Sequence, residues 1–426
     1  MLLGTGTREG LPRPHCGCLA CARAVADGVR RGPASALIGG CLLLDREGEP
    51  RDGPDAGLDG PIRLASGGPG RLEEGQSRGL RVGGLDVAVR ALAAGAPDRI
   101  VLDVTGDDGD RLLWAPVTGP LPADTVDALA GAAFRAVVLG VPGYVAGHPH
   151  DGGAADPGRS RLTGFAHELA RLRAAGAVAD GTDVIAVGID DGVPPLDELA
   201  VRLARWRART VPDRTPLSSG PASPLASAEG RPAVHRRTLV LGGSGSGKSA
   251  VAEDLLAAEP AVVYLATGPS GTADQEWADR LADHRARRPA WWGTVETADV
   301  LPVLAADGPP VLLDSVGTWL ATALDRAGAW ADAPGWQDRL DADVERLIGA
   351  WRQVARTVVA VSDEVGWGAV PAFASGRRFA TALGRLNQRL AAESERVLLV
   401  AAGRVLELPA GPAPVFGRAA ARGAAG

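Results

Sequence analysis

The chain has 426 residues, of which 46% are hydrophobic and 23% charged, values typical of a globular protein with two or three domains. Its formal net charge is -6 and it contains no basic block, which argues against a nucleic-acid partner. The first residues lack the pattern of a signal peptide, and no run of about 18 apolar residues occurs. We therefore expect a cytoplasmic protein without a membrane span.

The first half of the chain, residues 1–212, is predicted to form one domain of the α/β class. Short apolar runs alternate there with glycine-rich turns and a few helical stretches, as expected for strands and helices in one fold. The runs are Ala36–Asp45, Ile100–Val104, Ala136–Gly140 and Asp183–Val187, and the clearest helices are Leu162–Ala175 and Pro195–Arg207.

Two segments of this half carry a resemblance. Leu3-Gly-Thr-Gly-Thr7, followed by the cysteine-rich stretch 12–24, resembles the start of a metallo-β-lactamase-fold phosphodiesterase, and Leu42-Leu-Leu-Asp45 resembles its second strand. The H-x-H-x-D-H ligand set of such enzymes is missing, because no histidine occurs between Asp45 and Arg99. The H-x-H at His148-Pro-His150 comes too late in the chain. The resemblance therefore implies a degenerate, catalytically silent metallo-β-lactamase-like domain.

The cysteines of this domain leave two alternatives open. Cys16, Cys18 and Cys21 could hold a structural zinc ion, with His15 or a distant histidine as the fourth ligand, or they could be buried thiols. Cys41 lies in an apolar run and is interpreted as a core residue. The remaining histidines of this half are interpreted as surface or turn residues: His148, His150 and His167.

Composition changes after the first domain. Residues 213–235 are rich in Pro, Ser, Gly and Ala and predict a flexible linker, and residues 409–426 predict a disordered tail. Between them, residues 236–408 alternate apolar strands with helical stretches, which predicts a mostly parallel α/β sheet with flanking helices. The predicted strands are Thr238–Leu241, Ala261–Ala266, Pro310–Asp314, Thr357–Ser362 and Arg396–Ala401.

The first of these strands runs directly into a phosphate-binding sequence. The pattern G-x-x-x-x-G-K-S precedes a helical stretch, and in this context its glycines let backbone N–H groups point at phosphate oxygens beside a helix N-terminus. A glycine-rich turn that matches by chance is the alternative. The predicted nucleotide-binding residues here are Gly242, Gly243, Ser244, Gly245, Ser246, Gly247, Lys248 and Ser249.

Lys248 is the only lysine in a chain whose other basic residues are all arginine. A position that remains lysine in such a chain indicates that a compact ammonium is needed where a planar guanidinium cannot serve. We expect Lys248 to reach the β- and γ-phosphates, and Ser249 to bind Mg²⁺ together with a carboxylate on a neighbouring strand. Asp314, at the end of Val311-Leu-Leu-Asp314, is the predicted carboxylate; the alternative is an ordinary turn or helix N-cap aspartate.

Further motifs follow in a fixed order. With the P-loop and the strand before Asp314, they resemble adenosylcobinamide kinase/adenosylcobinamide-phosphate guanylyltransferases, which are P-loop NTPases of RecA-like fold, across residues 236–408. The motifs are Tyr264-Leu-Ala-Thr267, His284-Arg-Ala-Arg-Arg288, Trp292-Gly-Thr-Val-Glu296, Asp363-Glu-Val-Gly-Trp-Gly-Ala-Val-Pro371 and Gly384-Arg-Leu-Asn387-Gln388.

The resemblance implies a bifunctional enzyme of cobalamin biosynthesis. Such enzymes phosphorylate adenosylcobinamide with ATP or GTP and then transfer GMP from GTP through a guanylyl-histidine, for which His284 is the matching residue. The family also implies a homo-oligomer, namely a trimer. Its implied nucleotide contacts in this chain are Ala266, Thr267, Arg285, Arg288 and Glu296. If 277–288 is instead a solvated helix, His284 has no catalytic role; Glu296 and Thr267 have similar structural alternatives.

Some positions depart from the family pattern, and they leave the details of corrinoid contact and nucleotide preference open. Gly245 stands where arginine is frequent, Asp363 where asparagine is usual, and Thr381 where aspartate is common. Two other functions are therefore carried as alternatives: a guanylyltransferase without kinase activity, and a non-catalytic nucleotide-binding regulator. The presence of Lys248, Asp314 and His284 together favours an enzyme, because a regulator needs no nucleophilic histidine.

Overall fold

The computed structural model describes residues 2–4, 11–12, 19–32, 34–38, 42–45, 62–64, 75–82, 85–94, 100–117, 119–141, 161–189, 193–216, 236–268, 288–368 and 370–409. The chain divides into two compact units. The first comprises Met1–Ala233 with Ala257–Pro260, and the second comprises Val234–Leu256 with Ala261–Gly426.

The first unit contains a four-stranded sheet in the order β1-β2-β3-β4. Its strands are β1 (Leu2–Gly4), β2 (Ser35–Ile38), β3 (Leu42–Asp45) and β4 (Ile62–Leu64). The apolar run that the sequence presents as Ala36–Asp45 is in fact two antiparallel strands, with Ala36 opposite Leu44. The first residues of the predicted linker belong to this unit, since the Leu2 N–H donates to the Thr215 carbonyl at 2.9 Å.

A seven-stranded sheet forms the centre of the first unit, with strands β5 to β11 side by side in chain order. β5 to β8 are antiparallel neighbours, whereas β8 to β11 are parallel. Parallel neighbours need crossover connections, and three helices lie between these strands in the sequence. The strands are Ser77–Val82, Leu85–Ala93, Ile100–Thr105, Arg111–Ala115, Ala136–Gly140, Asp183–Val187 and Ala208–Arg209. The helices of the unit are α1 (Leu19–Ala26), α2 (Ala123–Ala128), α3 (Arg161–Ala174) and α4 (Leu196–Arg205).

Both faces of this larger sheet are buried. Trp114 packs in one core with Leu2 and Ala36 of the four-stranded sheet, whereas its neighbour Leu113 packs in another core with Phe165 of α3. Alternate residues of one strand thus face two different layers, as the period of a strand requires. The first unit is therefore an α/β structure with two packed sheets and helices on one face of the larger sheet.

The second unit is built on a seven-stranded sheet in the order β14-β13-β15-β16-β12-β17-β18. All neighbouring strands are parallel except β17 and β18, which form an antiparallel hairpin. The strands are β12 (Arg237–Gly242), β13 (Val263–Ala266), β14 (Gly293–Glu296), β15 (Val311–Asp314), β16 (Val358–Asp363), β17 (Arg396–Ala401) and β18 (Arg404–Leu408). The helices are α5 (Lys248–Leu256), α6 (Leu301–Ala305), α7 (Val316–Ala327), α8 (Trp336–Gln353) and α9 (Ala374–Ala392).

The central strands of the second unit are apolar on both faces, as in a parallel sheet covered by helices. Leu239 packs with residues of α7, α8 and α9, whereas the next residue, Val240, packs with Ala252 of α5. The five strands expected from the sequence are present within two residues of their predicted bounds. None of the helices in the described part of the chain is long and apolar enough to cross a membrane.

A buried amide ties α9 to the end of β16. The Ser362 hydroxyl donates to Asn387 Oδ1 at 2.6 Å, and Asn387 Nδ2 donates to the Asp363 carbonyl at 3.0 Å. Because both Ser362 and Asn387 are buried, water cannot replace either partner without rearrangement. Asn387 therefore fixes the carboxyl end of β16 from the helix side.

We predict that Asn387→Leu weakens the end of β16. The substitution keeps the volume but leaves the Ser362 hydroxyl without its acceptor, which costs about 1–3 kcal/mol. Amide hydrogen exchange in β16 measures this local loss directly. The exposed neighbour provides the control, and Gln388→Ala should leave exchange unchanged. Equal protection of β16 in the Asn387→Leu variant and the control would contradict the prediction.

Candidate functional site

The turn between β12 and α5 has the backbone geometry that its glycines allow. Gly245 and Gly247 adopt φ values of 69° and 94°, a region that other residues rarely enter. A Cβ on Gly242 would lie 2.7 Å from the Val400 carbonyl oxygen, so only glycine fits between β12 and β17. The far side of the turn is held by the Gly403 N–H, which donates to the Ser246 carbonyl at 2.9 Å. The turn leads straight into α5, whose first residue is Lys248.

The Lys248 ammonium lies against the end of β16. Its Nζ atom is 2.7 Å from Asp363 Oδ1, and it also donates to the Gly243 carbonyl at 3.3 Å. The Lys248 side chain is only 13% exposed, so this ion pair is well shielded on the lysine side. Asp363 is a site residue that the sequence did not identify as one; the only signal was its departure from the asparagine usual in the family.

The strand order corrects one expectation about the carboxylates. Asp314 was expected on a strand next to the P-loop strand, but β16 lies between β12 and β15. Asp363 therefore ends the strand adjacent to the P-loop, and Asp314 ends the next strand outward. Because carboxyl ends of parallel strands meet at one edge of a sheet, both side chains belong to the edge where α5 begins.

Asp314 is held by a tyrosine. The Tyr264 hydroxyl donates to Asp314 Oδ2 at 2.7 Å. The next residue, Ser315, is the N-cap of α7 and forms a capping box with Thr318. The alternative that Asp314 itself caps the helix is therefore wrong.

Thr267 follows the last residue of β13 and contacts the start of α7. This residue is buried, and its hydroxyl donates to the Ser315 carbonyl at 2.6 Å while accepting from the Ser315 N–H at 3.0 Å. The same hydroxyl lies 2.6 Å from Thr318 Oγ1. Thr267 thus fastens the end of β13 to the start of α7, and its contact with the nucleotide stays a prediction.

Arg288 stacks on the ring of Tyr264. Its guanidinium carbon lies 3.6 Å from the centroid of the Tyr264 ring, and its Nη1 atom is 3.5 Å from Thr294 Oγ1. Burial, followed by the charge of Asp314, raises the pKa of Tyr264 above its ordinary value, so the phenol remains a donor. Ala266 pairs with both Asp314 and Glu296, and Glu296 is exposed at the end of β14.

Several predicted site residues lie outside the described residues, namely His284, Arg285, Cys16 and Cys18. Cys21 lies within α1 and is buried in the apolar core of the first unit. Within the described ranges, no three His, Cys, Asp or Glu side chains come together as a metal site would require. The zinc site on Cys16, Cys18 and Cys21 therefore stays a prediction.

The oxygen ligands at the sheet edge are suitable for a Mg²⁺ ion that is bound together with a nucleotide. Hydroxyl and carboxylate oxygens are the ligands that this ion prefers, and Ser249 and Asp314 can supply them. In addition, the Ser246 hydroxyl is buried in the P-loop without a hydrogen-bond partner among the described residues. A phosphate group can use a donor of this kind.

Comparison with known proteins assigns the second unit. Residues 238–408 match the cobinamide kinase / cobinamide phosphate guanyltransferase family. The bifunctional adenosylcobalamin biosynthesis protein CobU of Salmonella typhimurium is 38% identical over 174 residues, which cover 39% of this chain and 95% of that protein. The chain belongs to this family. CobP of Pseudomonas aeruginosa, which carries the same description, is 38% identical over 181 residues, covering 41% of this chain and 99% of that protein.

The family match covers most of the second unit, and residues 1–237 lie outside it. Among solved structures, the P4 protein from bacteriophage phi6 in complex with ADP aligns with 40% of this chain and 52% of its own. Its identity of 19% and TM-score of 0.22 are too low to support any conclusion. The assignment therefore depends on the sequence relatives and on the P-loop geometry.

We predict that Asp363→Asn makes this cobinamide kinase / guanyltransferase bind nucleotide more tightly. Asp363 and a nucleotide phosphate both need the Lys248 ammonium, and the carboxylate also repels the phosphate charge. Removing it should lower the dissociation constant for GTP roughly threefold or more. Asp338→Asn, the same exchange at an exposed position of α8, should change nothing. Titration calorimetry measures both, and unchanged or weaker binding by Asp363→Asn contradicts the competition.

Proposed function

We propose that residues 236–408 catalyse two consecutive reactions of cobalamin biosynthesis. The first phosphorylates the aminopropanol hydroxyl of adenosylcobinamide with ATP or GTP, and the second transfers GMP from GTP to that phosphate. The observation that carries the proposal is the Lys248 ammonium, placed at the start of α5 and 2.7 Å from the Asp363 carboxylate at the end of β16. The domain around it matches bifunctional relatives over nearly their whole length.

In the first reaction the protein acts mainly by position and charge. The turn Gly242–Ser249 would bind the phosphates through backbone N–H groups, with Lys248 neutralising the β- and γ-phosphates. Ser249 and Asp314 would hold Mg²⁺, which withdraws negative charge from the phosphate oxygens when bound. The substrate hydroxyl forms a bond to the γ-phosphorus while the bond to the β-phosphate oxygen breaks, and a nucleoside diphosphate leaves.

The second reaction is proposed to use His284. Its imidazole nitrogen attacks the α-phosphorus of GTP and pyrophosphate leaves, giving a guanylyl-histidine; a phosphate oxygen of the substrate then displaces the histidine. The family resemblance supports this role. Ala266, Thr267, Arg285, Arg288 and Glu296 are the proposed nucleotide contacts, and the Thr267 hydroxyl also bonds to the start of α7. The stacking of Arg288 on Tyr264, whose hydroxyl contacts Asp314, supports the proximity of Arg288 to that carboxylate.

An apolar surface beside the site supports a large substrate. Trp367, Val370 and Phe373, which follow β16, are 68%, 79% and 80% exposed. Exposed apolar side chains concentrated in one short segment commonly mark a binding surface. They begin four residues after Asp363, which pairs with Lys248. The apolar faces of a corrinoid ring are the proposed partner of this segment.

The first unit is proposed to be a silent metallo-β-lactamase-like domain. Its two packed sheets with helices are compatible with that resemblance, which the comparisons leave untested. A zinc ion on Cys16, Cys18 and Cys21, a cytoplasmic location and a trimeric assembly are likewise proposals from the sequence.

We predict that the protein forms a covalent adduct with α-labelled GTP, and that His284→Ala abolishes it. The adduct should be labile to acid and stable to base, as expected of a phosphoramidate. His235→Ala, which removes a histidine of the predicted linker, serves as the control and should label normally. If His284→Ala labels as well as the parent, the assignment of the nucleophile is wrong.

We predict that Lys248→Arg is nearly as damaging to the kinase reaction as Lys248→Ala. The ammonium is 13% exposed and lies 2.7 Å from Asp363. A broad planar guanidinium does not reproduce the contacts of a compact ammonium on a flexible stem. Both variants should lose about 10²–10³-fold in kcat. Turnover of adenosylcobinamide with labelled ATP measures the effect, and near-normal turnover by Lys248→Arg would refute the argument. The same assay tests the transferase-only alternative, because such an enzyme consumes only phosphorylated substrate.

A further inference from the structure

Tyr264 is a buried polar residue at the site that the two reactions do not yet use. Its ring packs in the apolar core beneath α5, yet its hydroxyl reaches the sheet edge. There it donates to Asp314 Oδ2 at 2.7 Å, across 50 positions of sequence. A phenylalanine would satisfy the packing equally well, so the hydroxyl needs a separate explanation.

The sheet register accounts for the contact. β13 and β15 are parallel, with Tyr264 opposite Leu312, so Asp314 lies two residues further along the same face of the neighbouring strand. A tyrosine side chain is long enough to span that offset. The hydrogen bond engages one carboxylate oxygen, Oδ2, and thereby restrains rotation of the whole carboxylate.

Arg288 restrains the tyrosine in turn. Its guanidinium carbon is 3.6 Å from the ring centroid, which is within cation–π distance. The residue is anchored further by the contact of its Nη1 atom with Thr294 Oγ1 at 3.5 Å. Arg288, Tyr264 and Asp314 thus form a chain of contacts that leads from the strand β14 to the carboxylate.

We infer that Tyr264 is a positioning residue, which holds Asp314 in the orientation that binds Mg²⁺ with the nucleotide, and that Arg288 acts on Asp314 through it. The inference rests on the proposed role of Asp314. The hydrogen bond from Tyr264 already restricts rotation of the Asp314 side chain before the ion binds. Asp314 therefore loses less rotational freedom when it binds the ion.

The test uses the full chain and a fluorescent, non-hydrolysable GTP analogue. Its dissociation constant is measured in EDTA and in magnesium chloride, and the ratio gives the Mg²⁺-dependent gain in affinity. Tyr264→Phe should leave the EDTA value within about twofold of the parent and reduce the gain about tenfold, the scale of one hydrogen bond to a charged group. A purely structural role would weaken both values together.

Two further variants distinguish a failure of the role proposed for Asp314 from a failure of the role inferred for Tyr264. Ser394→Ala removes another hydroxyl, which donates to the Leu390 carbonyl at 2.7 Å and accepts from Trp351 Nε1 at 3.2 Å. It should lower stability but leave the gain intact. Asp314→Ala should abolish the gain; if it does not, the proposed role of Asp314 fails. If Asp314→Ala abolishes the gain and Tyr264→Phe keeps it, only the positioning role is overturned.

A double-mutant cycle tests the part played by Arg288. Arg288→Met should reduce the Mg²⁺-dependent gain in the parent but add little in the Tyr264→Phe background, because its effect on Asp314 passes through the hydroxyl. Full additivity of the two losses would show that Arg288 acts independently of Tyr264, and would overturn that part of the inference.

Discussion

The second unit depends on one topological constraint, the position of β16 between the P-loop strand and the strand of Asp314. This order puts Asp363 beside the P-loop and lets its carboxylate meet the Lys248 ammonium at 2.7 Å. The Glu364 N–H then donates to the Gly242 carbonyl at 3.0 Å, which joins the end of β16 to the start of the turn. Asn387 holds the same strand end from α9. The phosphate-binding turn is thus fixed by contacts from a strand and a helix that lie far away in sequence.

The two carboxylates at this edge are supported in different ways, which suggests different roles. Asp363 pairs with a cation and is 39% exposed, so its charge is compensated by the residue that must also meet the phosphates. Asp314 instead accepts from the neutral hydroxyl of Tyr264, which restrains the carboxylate. Carboxylate oxygens are ligands that a hard divalent cation prefers. We therefore propose Mg²⁺ binding at Asp314 and competition with the phosphates for Lys248 at Asp363.

Local patterns made part of this structure predictable. The five apolar strands of the second unit were found because they are buried on both faces, and the P-loop because its chemistry lies in eight consecutive residues. β14 could not be found in this way, since all four of its residues are exposed at a sheet edge. The contact of Tyr264 with Asp314 and that of Lys248 with Asp363 depend on strand order and register, which composition and periodicity do not reveal. The contacts of Thr267 could not be predicted for the same reason, because its partners Ser315 and Thr318 belong to another element.

Two glycines, Gly242 and Gly317, leave space for polar groups of the site because they have no side chain. A Cβ on Gly317, in the first turn of α7, would lie 3.3 Å from Asp363 Oδ2, and a Cβ on Gly242 would lie 2.5 Å from the Ser246 hydroxyl. Both glycines therefore make space around polar atoms that face the Lys248 side of the sheet edge. A larger residue at Gly242 would displace the Ser246 hydroxyl, and one at Gly317 would crowd the Asp363 carboxylate. The close approach of neighbouring groups to the backbone at Gly242 and Gly317 therefore helps to set the geometry of the site. The ion pair of Lys248 with Asp363 forms within that geometry.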